Sequence, residues 1–409
     1  MNRSLRINIV AIYLMGFFHS FMVVIPVFVP LLQGYGLSMS EVLQTQAFFA
    51  LTVAILEVPS GYLADLWGRR RAILLGSLFN GVGFLSLLWA DSFQDFLFYE
   101  LMLGLGISLI SGSDLALLYD TETALAERGE PGGAGPSKSL SRLISVEAGA
   151  SGVAGITASV VLIHSDMATL VLLQALVGFI PFLLGLFLVE SPRPPLVHAG
   201  HAANAKAIMR LLVFGKPVVL WTTLAIIAFG LLAVYVFWIY QKYWELQGVP
   251  VAWFGYIWAA FALVVSVSAR YASALEAWLG WRRVLWIAAA LPLLGIFGMA
   301  MSQGWIGVMF GLAVQLSRGL SLTLFYDALN RRVPGDFRAT VNSLVSLGVR
   351  GMFILSGPVM GWSLDRYGIT STLLVLLAVF APLFLLVIAG LSQRIRGEAV
   401  PSLEPQPAR

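Results

Sequence analysis

Two arginines lie near the middle of long apolar stretches of the sequence, Arg318 within residues 305–329 and Arg350 within residues 339–362. A charge at the centre of a membrane helix costs roughly 2.5 to 3.5 kcal/mol, so an embedded arginine needs a partner or a function. An arginine at this depth can hold a carboxylate or a phosphate through two parallel hydrogen bonds. The sequence therefore predicts an anion-binding site at Arg318 and Arg350. The alternative is that each arginine pairs with an acid on a neighbouring helix.

Three carboxylic acids also lie within apolar stretches, about two turns from one end: Glu57, Asp114 and Glu147. An acid in a poorly hydrated cavity retains its proton more readily, as proton coupling requires. Glu147 has no basic residue nearby in the sequence and is therefore the first candidate for a proton site. Arg142 lies at a similar depth to Asp114 and is expected to neutralise it, which favours a structural or gating role for Asp114. Glu57 precedes Pro59 and has the alternative role of supporting the loop that follows.

One histidine, His19, lies at the midpoint of the first apolar stretch. Histidine is the side chain that most readily changes charge near neutral pH, so His19 is a candidate for solute binding. The alternative is a hydrogen-bonded packing residue.

The sequence lacks the motifs of several other functional classes. There is no nucleophile with a paired base and no Walker loop, so neither an enzyme nor a self-contained ATP-driven pump is expected. The chain has no cysteine, and His198 and His201 lack a third ligand, so these histidines indicate a solvated linker rather than a metal site. No metal and no cofactor are expected.

The composition indicates a membrane protein. Hydrophobic residues make up 59% of the chain and charged residues 11%, with a mean hydropathy of +0.86. The charged share is less than half of the ~25% that is typical of soluble domains. The net charge is +4, but the basic residues are dispersed among apolar stretches, so nucleic-acid binding is not expected. A chain of 409 residues is long enough for about a dozen spans of ~20 residues.

Apolar runs separated by polar breaks predict an all-α membrane protein with twelve transmembrane helices. All but four of the 25 lysines and arginines then fall on one side, which places both termini in the cytoplasm. Of these four, Lys242 and Arg366 fall on the other side, and Arg318 and Arg350 lie within helices. The predicted helices lie near residues 7–31, 44–65, 72–90, 96–120, 139–163, 168–189, 217–240, 252–274, 283–301, 305–329, 339–362 and 369–391.

The longest polar break divides the chain into two halves of six helices. We expect an N-terminal half over residues 1–190, a cytoplasmic linker over 191–216, a C-terminal half over 217–396 and a cytoplasmic tail over 397–409. An internal repeat favours this division, because Leu118-Tyr119-Asp120 recurs as Phe325-Tyr326-Asp327. Repeats of this kind are typical of transporters whose halves move around a central site.

Two further patterns concern helix packing and the outer membrane surface. Ser151, Gly155 and Ser159 recur every four residues, a spacing that permits close approach of another helix. The aromatic residues at the end of the seventh predicted helix indicate either an aromatic belt at the interface or an outer gate or substrate wall. These are Trp238, Tyr240, Tyr243 and Trp244.

The segment Gly61-Tyr-Leu-Ala-Asp65-Leu-Trp-Gly68-Arg69-Arg70-Arg71 joins the second predicted helix to the third. Its glycines permit a tight turn, and its arginines favour the cytoplasmic face. This motif resembles the loop between helices 2 and 3 of the major facilitator superfamily of secondary transporters. The resemblance extends over nearly the whole chain and is to a bacterial branch. It is carried further by Glu57-Val-Pro-Ser-Gly61, Tyr119-Asp120, Arg338-Ala-Thr340 and Gly357-Pro-Val-Met-Gly361-Trp-Ser-Leu-Asp365-Arg-Tyr-Gly368.

The resemblance implies the MFS fold, in which two pseudo-symmetric halves enclose a mid-membrane solute site and alternate its access. It implies that Asp65 contacts the start of helix 11 and the loop arginines and stabilises the outward-open state. Conformational gating is then assigned to Gly61, Asp65, Gly68, Arg69, Arg70, Asp120, Arg142 and Asp327. The fifth helix lacks the Gly-Pro dipeptide that the drug/proton antiporters of the superfamily carry.

The function expected from these observations is secondary transport across a bacterial inner membrane. We expect a multi-pass monomer that exports an amphipathic or anionic solute in a proton-coupled manner. Its partners are then the solute, protons and the lipid bilayer. Uptake of an anionic metabolite is the alternative within transport. Three alternatives come from other classes: a non-transporting sensor, a membrane-embedded enzyme and a lipid-handling protein.

Overall fold

The computed structural model of the chain describes residues 2–127, 136–191, 217–333 and 338–395. Within these ranges every regular element is helical. The prediction of an all-α protein is thereby confirmed. Most of the predicted linker, with His198 and His201, and the tail lie outside the described residues. The α-helices are α1 Asn2–Ser20, α2 Phe28–Gly34, α3 Met39–Trp67, α4 Arg69–Ser86, α5 Phe93–Ile110, α6 Ser113–Glu127, α7 Pro136–His164, α8 Met167–Gly178, α9 Ile180–Gly185, α10 Pro217–Leu246, α11 Phe254–Leu279, α12 Trp281–Met301, α13 Gly304–Asn330 and α14 Arg338–Ile395.

Ten helical segments within the described ranges are long and apolar enough to cross a membrane. The prediction gave twelve spans, and two features account for the difference. The segment α14 contains two predicted helices, which meet at a kink at Gly368, where the angles φ 78° and ψ 175° are not helical. The helix α4 has 18 residues and begins with three arginines, so it is not among the ten.

Three of the predicted helices are divided, each at a glycine or a proline. A short 3-10 turn at Ile25–Val27, which contains Pro26, separates α1 from α2. Gly112, with φ +83°, separates α5 from α6. Pro181 lies in the first turn of α9, where the chain restarts after α8. Glycine adopts positive φ without strain and proline has no N–H to donate, so both residues interrupt a continuous helix.

Polar residues at the helix starts determine where two of the spans begin. The Ser38 hydroxyl accepts a hydrogen bond from the backbone N–H of Glu41, and the Glu41 carboxylate accepts one from the Ser38 N–H. Ser92 and Asp95 form the same reciprocal arrangement at the start of α5. Such capping boxes satisfy N–H groups that have no partner within the helix.

The gap in the described residues separates an N-terminal part, residues 2–191, from a C-terminal part, residues 217–395. Between the two parts, α3 packs against α14 and α7 packs against α11. We call the end of the bundle at which α1 begins and α14 ends the terminal end, and the other end the opposite end. The start of α3 and the Gly368 turn both lie at the opposite end, where Met39 contacts Asp365.

The small residues of α7 permit a close approach to α11, as their spacing predicted. A Cβ atom built on Gly255 would lie 1.9 Å from the carbonyl oxygen of Gly155. The Ser159 hydroxyl accepts a hydrogen bond of 3.0 Å from the backbone N–H of Tyr256. The backbones of the two helices therefore touch at this point, with no side chain between them.

The aromatic residues of α10 are buried inside the protein. Trp244 is fully buried, and the Tyr240 and Tyr243 hydroxyls donate to the carbonyls of Gly311 and Met299 at 2.9 and 2.8 Å. The interpretation as an aromatic belt is therefore wrong, because belt residues project from the protein toward the lipid headgroups. The rings of Tyr240, Tyr243 and Trp244 fill the core between α10, α11, α12 and α13 instead, and the ring of Trp238 packs against Phe28 of α2.

Candidate functional site

A cavity of about 400 Å³ lies between α10, α13 and α14. Both embedded arginines contribute to its wall, Arg318 from the middle of α13 and Arg350 from α14. The rest of the wall is mainly apolar and aromatic, with Phe229, Phe237, Trp238, Phe325 and Tyr326 among its residues. A concave, mostly apolar pocket with a few polar groups is the usual form of a small-molecule site. The two predicted anion-binding residues are thus brought together in one cavity.

Arg318 also lines a second cavity, of about 250 Å³. Ala148 and Ser151 of α7 line this second cavity, so Arg318 faces the N-terminal part. Its neighbours include Gln315, whose buried Oε1 has no hydrogen-bond partner in the described part of the chain. The ion pairs within the described ranges do not include Arg318. A guanidinium without an acid, at this depth, is the feature that most calls for an anionic ligand.

Arg350 has a different environment, because it pairs with an acid across the two parts. Its Nη1 lies 3.0 Å from Oε2 of Glu57 on α3. This arrangement corresponds to the alternative interpretation, a pair between neighbouring helices. Glu57 was predicted to take part in proton coupling or to support the loop, and its pairing with Arg350 was not predicted.

The acids Asp114 and Glu147 lie close enough for their carboxyl groups to interact electrostatically. Within the described ranges no ion pair joins Asp114 to Arg142, so the expected neutralisation is not observed. Asp114 lies in the first turn of α6, just after the break at Gly112, and its carboxylate accepts a hydrogen bond of 2.7 Å from the Leu115 N–H. Asp114 therefore accepts a hydrogen bond from a backbone N–H at the start of α6 and not from Arg142, the predicted partner. Arg142 itself is exposed.

Two other embedded polar residues have partners within the N-terminal part. The Nε2 atom of His19 lies 3.3 Å from the hydroxyl of Ser77 on α4. Glu100 on α5 is 2% exposed, and the side chain of Gln46 on α3 donates a hydrogen bond to it. Sequence reasoning did not single out Glu100. The position of Glu100, an acid within the apolar stretch 96–120, was the signal from which it could have been identified.

The loop between α3 and α4 forms a cluster with Glu190, which follows α9. The Glu190 carboxylate accepts hydrogen bonds from the backbone N–H groups of Arg69 and Arg70, at 2.8 and 3.0 Å. A carboxylate in this position satisfies free N–H groups and interacts with the positive end of the helix dipole. Gly68 has φ +99°, and a Cβ atom on it would lie 2.7 Å from Glu190. A larger residue than glycine at this position would strain the turn and collide with the Glu190 carboxylate.

The remaining residues predicted to act in gating are distributed as follows. The Arg69 guanidinium forms an ion pair with Asp120 of α6. Gly61 has open space beside it, and the side chain of Asp65 lies outside the described residues. Asp327, the counterpart of Asp120 in the repeat, pairs at 2.8 Å with Arg331 on its own helix. This hydrogen bond raises the pKa of Arg331, which follows the membrane span.

Asp365 connects the two parts at the opposite end. Its two carboxylate oxygens accept hydrogen bonds from the backbone N–H groups of Met39 and Ser40, at 2.9 and 2.8 Å. These are the first residues of α3, so an acid of the C-terminal part caps a helix of the N-terminal part. Nearby, a Cβ atom on Gly361 would lie 2.5 Å from the Cα atom of Ser40.

Hydrogen bonds between the two parts lie mainly at the opposite end. There Gln241 of α10 accepts from the Val29 N–H and donates to the Ile25 carbonyl, at 2.8 and 2.9 Å. Within the described ranges, no hydrogen bond joins the parts closer to the terminal end than that of Glu57 with Arg350. The bundle is therefore held together at the opposite end.

The sequence profile of the Major Facilitator Superfamily matches residues 9–356. The chain belongs to the Major Facilitator Superfamily. No curated protein matches it in sequence. Among solved structures, the nucleoside transporter NupG is 13% identical, with a TM-score of 0.73 over 95% of this chain and 99% of that one. A D-xylose–proton symporter is 12% identical, with a TM-score of 0.72 over 98% and 99%.

A third similar structure is a bacterial homologue of the human lysosomal transporter Spinster, described as inward-facing and unoccupied. It is 14% identical, with a TM-score of 0.72 over 98% of this chain and 99% of that one. At these identities the likeness concerns the fold alone. This superfamily member is accordingly a multi-pass integral membrane protein with a transporter fold, and its family favours a transporter over an enzyme.

Proposed function

We propose that this protein is a secondary active transporter that moves a small organic solute across the bacterial inner membrane by alternating access. The observation that carries the proposal is the cavity lined by Arg318, which has apolar walls and the size of a small-molecule site. We further propose that the chain has twelve transmembrane helices, with residues 1–190 and 217–396 as the two halves. The linker 191–216, the tail and both termini are then cytoplasmic, and the protein acts as a monomer.

We propose that transport is efflux coupled to proton entry, with Glu147 as the proton site. Glu147 and Asp114 interact with each other, and like charges repel, so protonation of one relieves the repulsion. Glu147 is close to α1, because a Cβ atom on Gly16 would lie 3.4 Å from its Oε1 atom. A change in the charge of Glu147 therefore alters the electrostatic interactions of α7 with α1 and α6. His19 and Glu57 are the other titratable residues of the predicted site.

Reconstitution tests this proposal. A thermal-shift screen against metabolites and drugs identifies a ligand, because binding stabilises the folded state by mass action. Proteoliposomes are then loaded with that ligand, and the outside is acidified. We expect ligand efflux that depends on the proton gradient, together with acidification of the lumen reported by pyranine. Protein-free liposomes are the control.

The same experiment separates the alternatives. Solute accumulation driven by an inward proton gradient, with no efflux, would establish uptake of an anionic metabolite. Ligand binding without flux in either direction would establish a sensor and contradict the proposal.

A further inference from the structure

The charges around the cavity between α10, α13 and α14 do not balance. Arg318 and Arg350 are the charged residues among those that line it. Glu57 neutralises Arg350 at 3.0 Å, whereas no acid among the described residues forms an ion pair with Arg318. Tyr240 is near enough to Arg318 to interact electrostatically, but its hydroxyl donates its proton to the Gly311 carbonyl. One positive charge therefore remains uncompensated.

Apart from the two arginines, Ser321 and Ser346, the wall of the cavity is apolar or aromatic and offers no partner for a second negative charge. Phe229, Phe237, Leu322, Tyr326 and Val349 contribute to its wall. Burying an ionised group against such residues is costly unless the group is paired. A single negative charge can be paired at Arg318. A dianion, such as a phosphate monoester, would leave one charge unpaired against aromatic and aliphatic side chains.

We infer that the solute is an amphipathic monocarboxylate, whose carboxylate binds Arg318 and whose apolar or aromatic body packs against Phe229, Phe237 and Tyr326. The guanidinium presents a planar pair of donors that matches a carboxylate. Because its side chain borders both cavities, Arg318 meets an anion at the boundary between the two parts. This inference rests on the proposed function, since it assigns a class of solute to the same site.

The test uses matched pairs of a carboxylate and its neutral amide. We choose benzoate with benzamide, 2-naphthoate with 2-naphthamide, and indole-3-acetate with indole-3-acetamide. Binding to the purified full chain in detergent is measured by isothermal titration calorimetry. At least one carboxylate is expected to bind more than tenfold tighter than its amide. If no pair shows a preference for the carboxylate, the inference is wrong.

Three variants assign the preference to one residue. Arg318→Gln is expected to abolish it, and Arg318→Lys to retain part of it, because lysine keeps the charge but not the planar pair of donors. Arg283→Gln is the matched control, since Arg283 is an exposed arginine at the start of α12, and this variant is expected to retain the full preference. A preference that survives Arg318→Gln would overturn the assignment.

A measurement on the unmodified protein covers the case in which Arg318→Gln does not fold. Phenylglyoxal modifies arginines, and mass spectrometry reports the extent at Arg318. The carboxylate that binds best is expected to protect Arg318, whereas its amide is not. Equal protection, or none, contradicts the inference. These binding assays do not depend on transport. Flux without a preference for carboxylates would refute only the assigned class of solute. Carboxylate binding without flux would refute only the proposed function.

Discussion

The carboxylate of Glu57 and the guanidinium of Arg350 meet at 3.0 Å and connect α3 of the N-terminal part with α14 of the C-terminal part. Their side chains are 31% and 33% exposed, so water screens the pair and its net contribution is about 0.2 to 1 kcal/mol. A contact of this strength can break and reform during a transport cycle. Because Arg350 also lines the cavity, the state of the pair changes the charge that a solute encounters.

The Glu57–Arg350 pair predicts a specific pattern of rescue. Arg350→Ala is expected to abolish transport, because it leaves Glu57 without its partner beside the cavity. The double variant Glu57→Gln/Arg350→Ala is expected to recover part of the flux, since both charges are then removed. Flux in proteoliposomes measures this, with size-exclusion chromatography to show that each variant folds. A double variant as inactive as Arg350→Ala would mean that Arg350 contacts the solute directly.

Glu57→Gln alone is expected to tighten the binding of a carboxylate solute several-fold. The substitution removes the acid that neutralises Arg350 and leaves two uncompensated guanidiniums in the cavity. Calorimetry with the carboxylate and amide pairs checks this, and the affinity for the amides should not change. Weaker carboxylate binding would contradict the prediction.

Asp365→Asn is expected to loosen the opposite end. The amide retains a single acceptor oxygen and carries no charge to interact with the start of α3, an interaction typically worth 0.3 to 1 kcal/mol. Spin labels on α3 and α14 at the opposite end should then report a larger share of long distances. The matched control is Asp166→Asn, because Asp166 caps α8 within the N-terminal part at 2.8 Å and joins no other part. Equal shifts in both variants would mean that the Asp365 cap does not hold the two parts together.

Glu147→Gln is expected to uncouple flux from the proton gradient while solute exchange continues. A glutamine resembles a permanently protonated acid and cannot release a proton during the cycle. Glu100→Gln is a useful comparison, because Glu100 is a buried acid that is bonded to Gln46 and does not line the cavities of Arg318. Gradient-driven flux that persists in Glu147→Gln but is lost in Glu100→Gln would transfer the proton site to Glu100.

Gly68→Ala is expected to destabilise the protein more than Gly280→Ala does. Both glycines have positive φ, +99° and +83°, with ψ of 142° and 145°, so both substitutions carry a similar backbone strain of about 1 to 3 kcal/mol. An added Cβ atom meets Glu190 at 2.7 Å in the first case and has open space in the second. The difference in thermal midpoint therefore measures the Glu190 contact. Equal midpoints would show that the carboxylate moves aside without cost.

The sequence predicted the helices and the loop motif because these depend on local signals. Apolar runs, polar breaks and the glycines and arginines of the loop act over short stretches of the chain. The pairing of Glu57 with Arg350 and the cap that Glu190 forms on α4 join residues far apart in the chain. They depend on the rotation of each helix about its axis, which hydropathy determines weakly when most faces are apolar. The aromatic residues of α10 were misinterpreted for the same reason.

The contact between Gly155 and Gly255 is a point about which α7 could tilt. The arm of α7 from Gly155 to Pro136 is roughly 28 Å long at ~1.5 Å per residue. Each degree of tilt about the contact therefore displaces the terminal end of α7 by roughly 0.5 Å over an arm of that length. Two touching backbones have no rotatable side chain between them to absorb the motion. A methyl group added at Gly255 would force the two helices apart at this contact, and the resulting displacement of α7 would be largest at the terminal end.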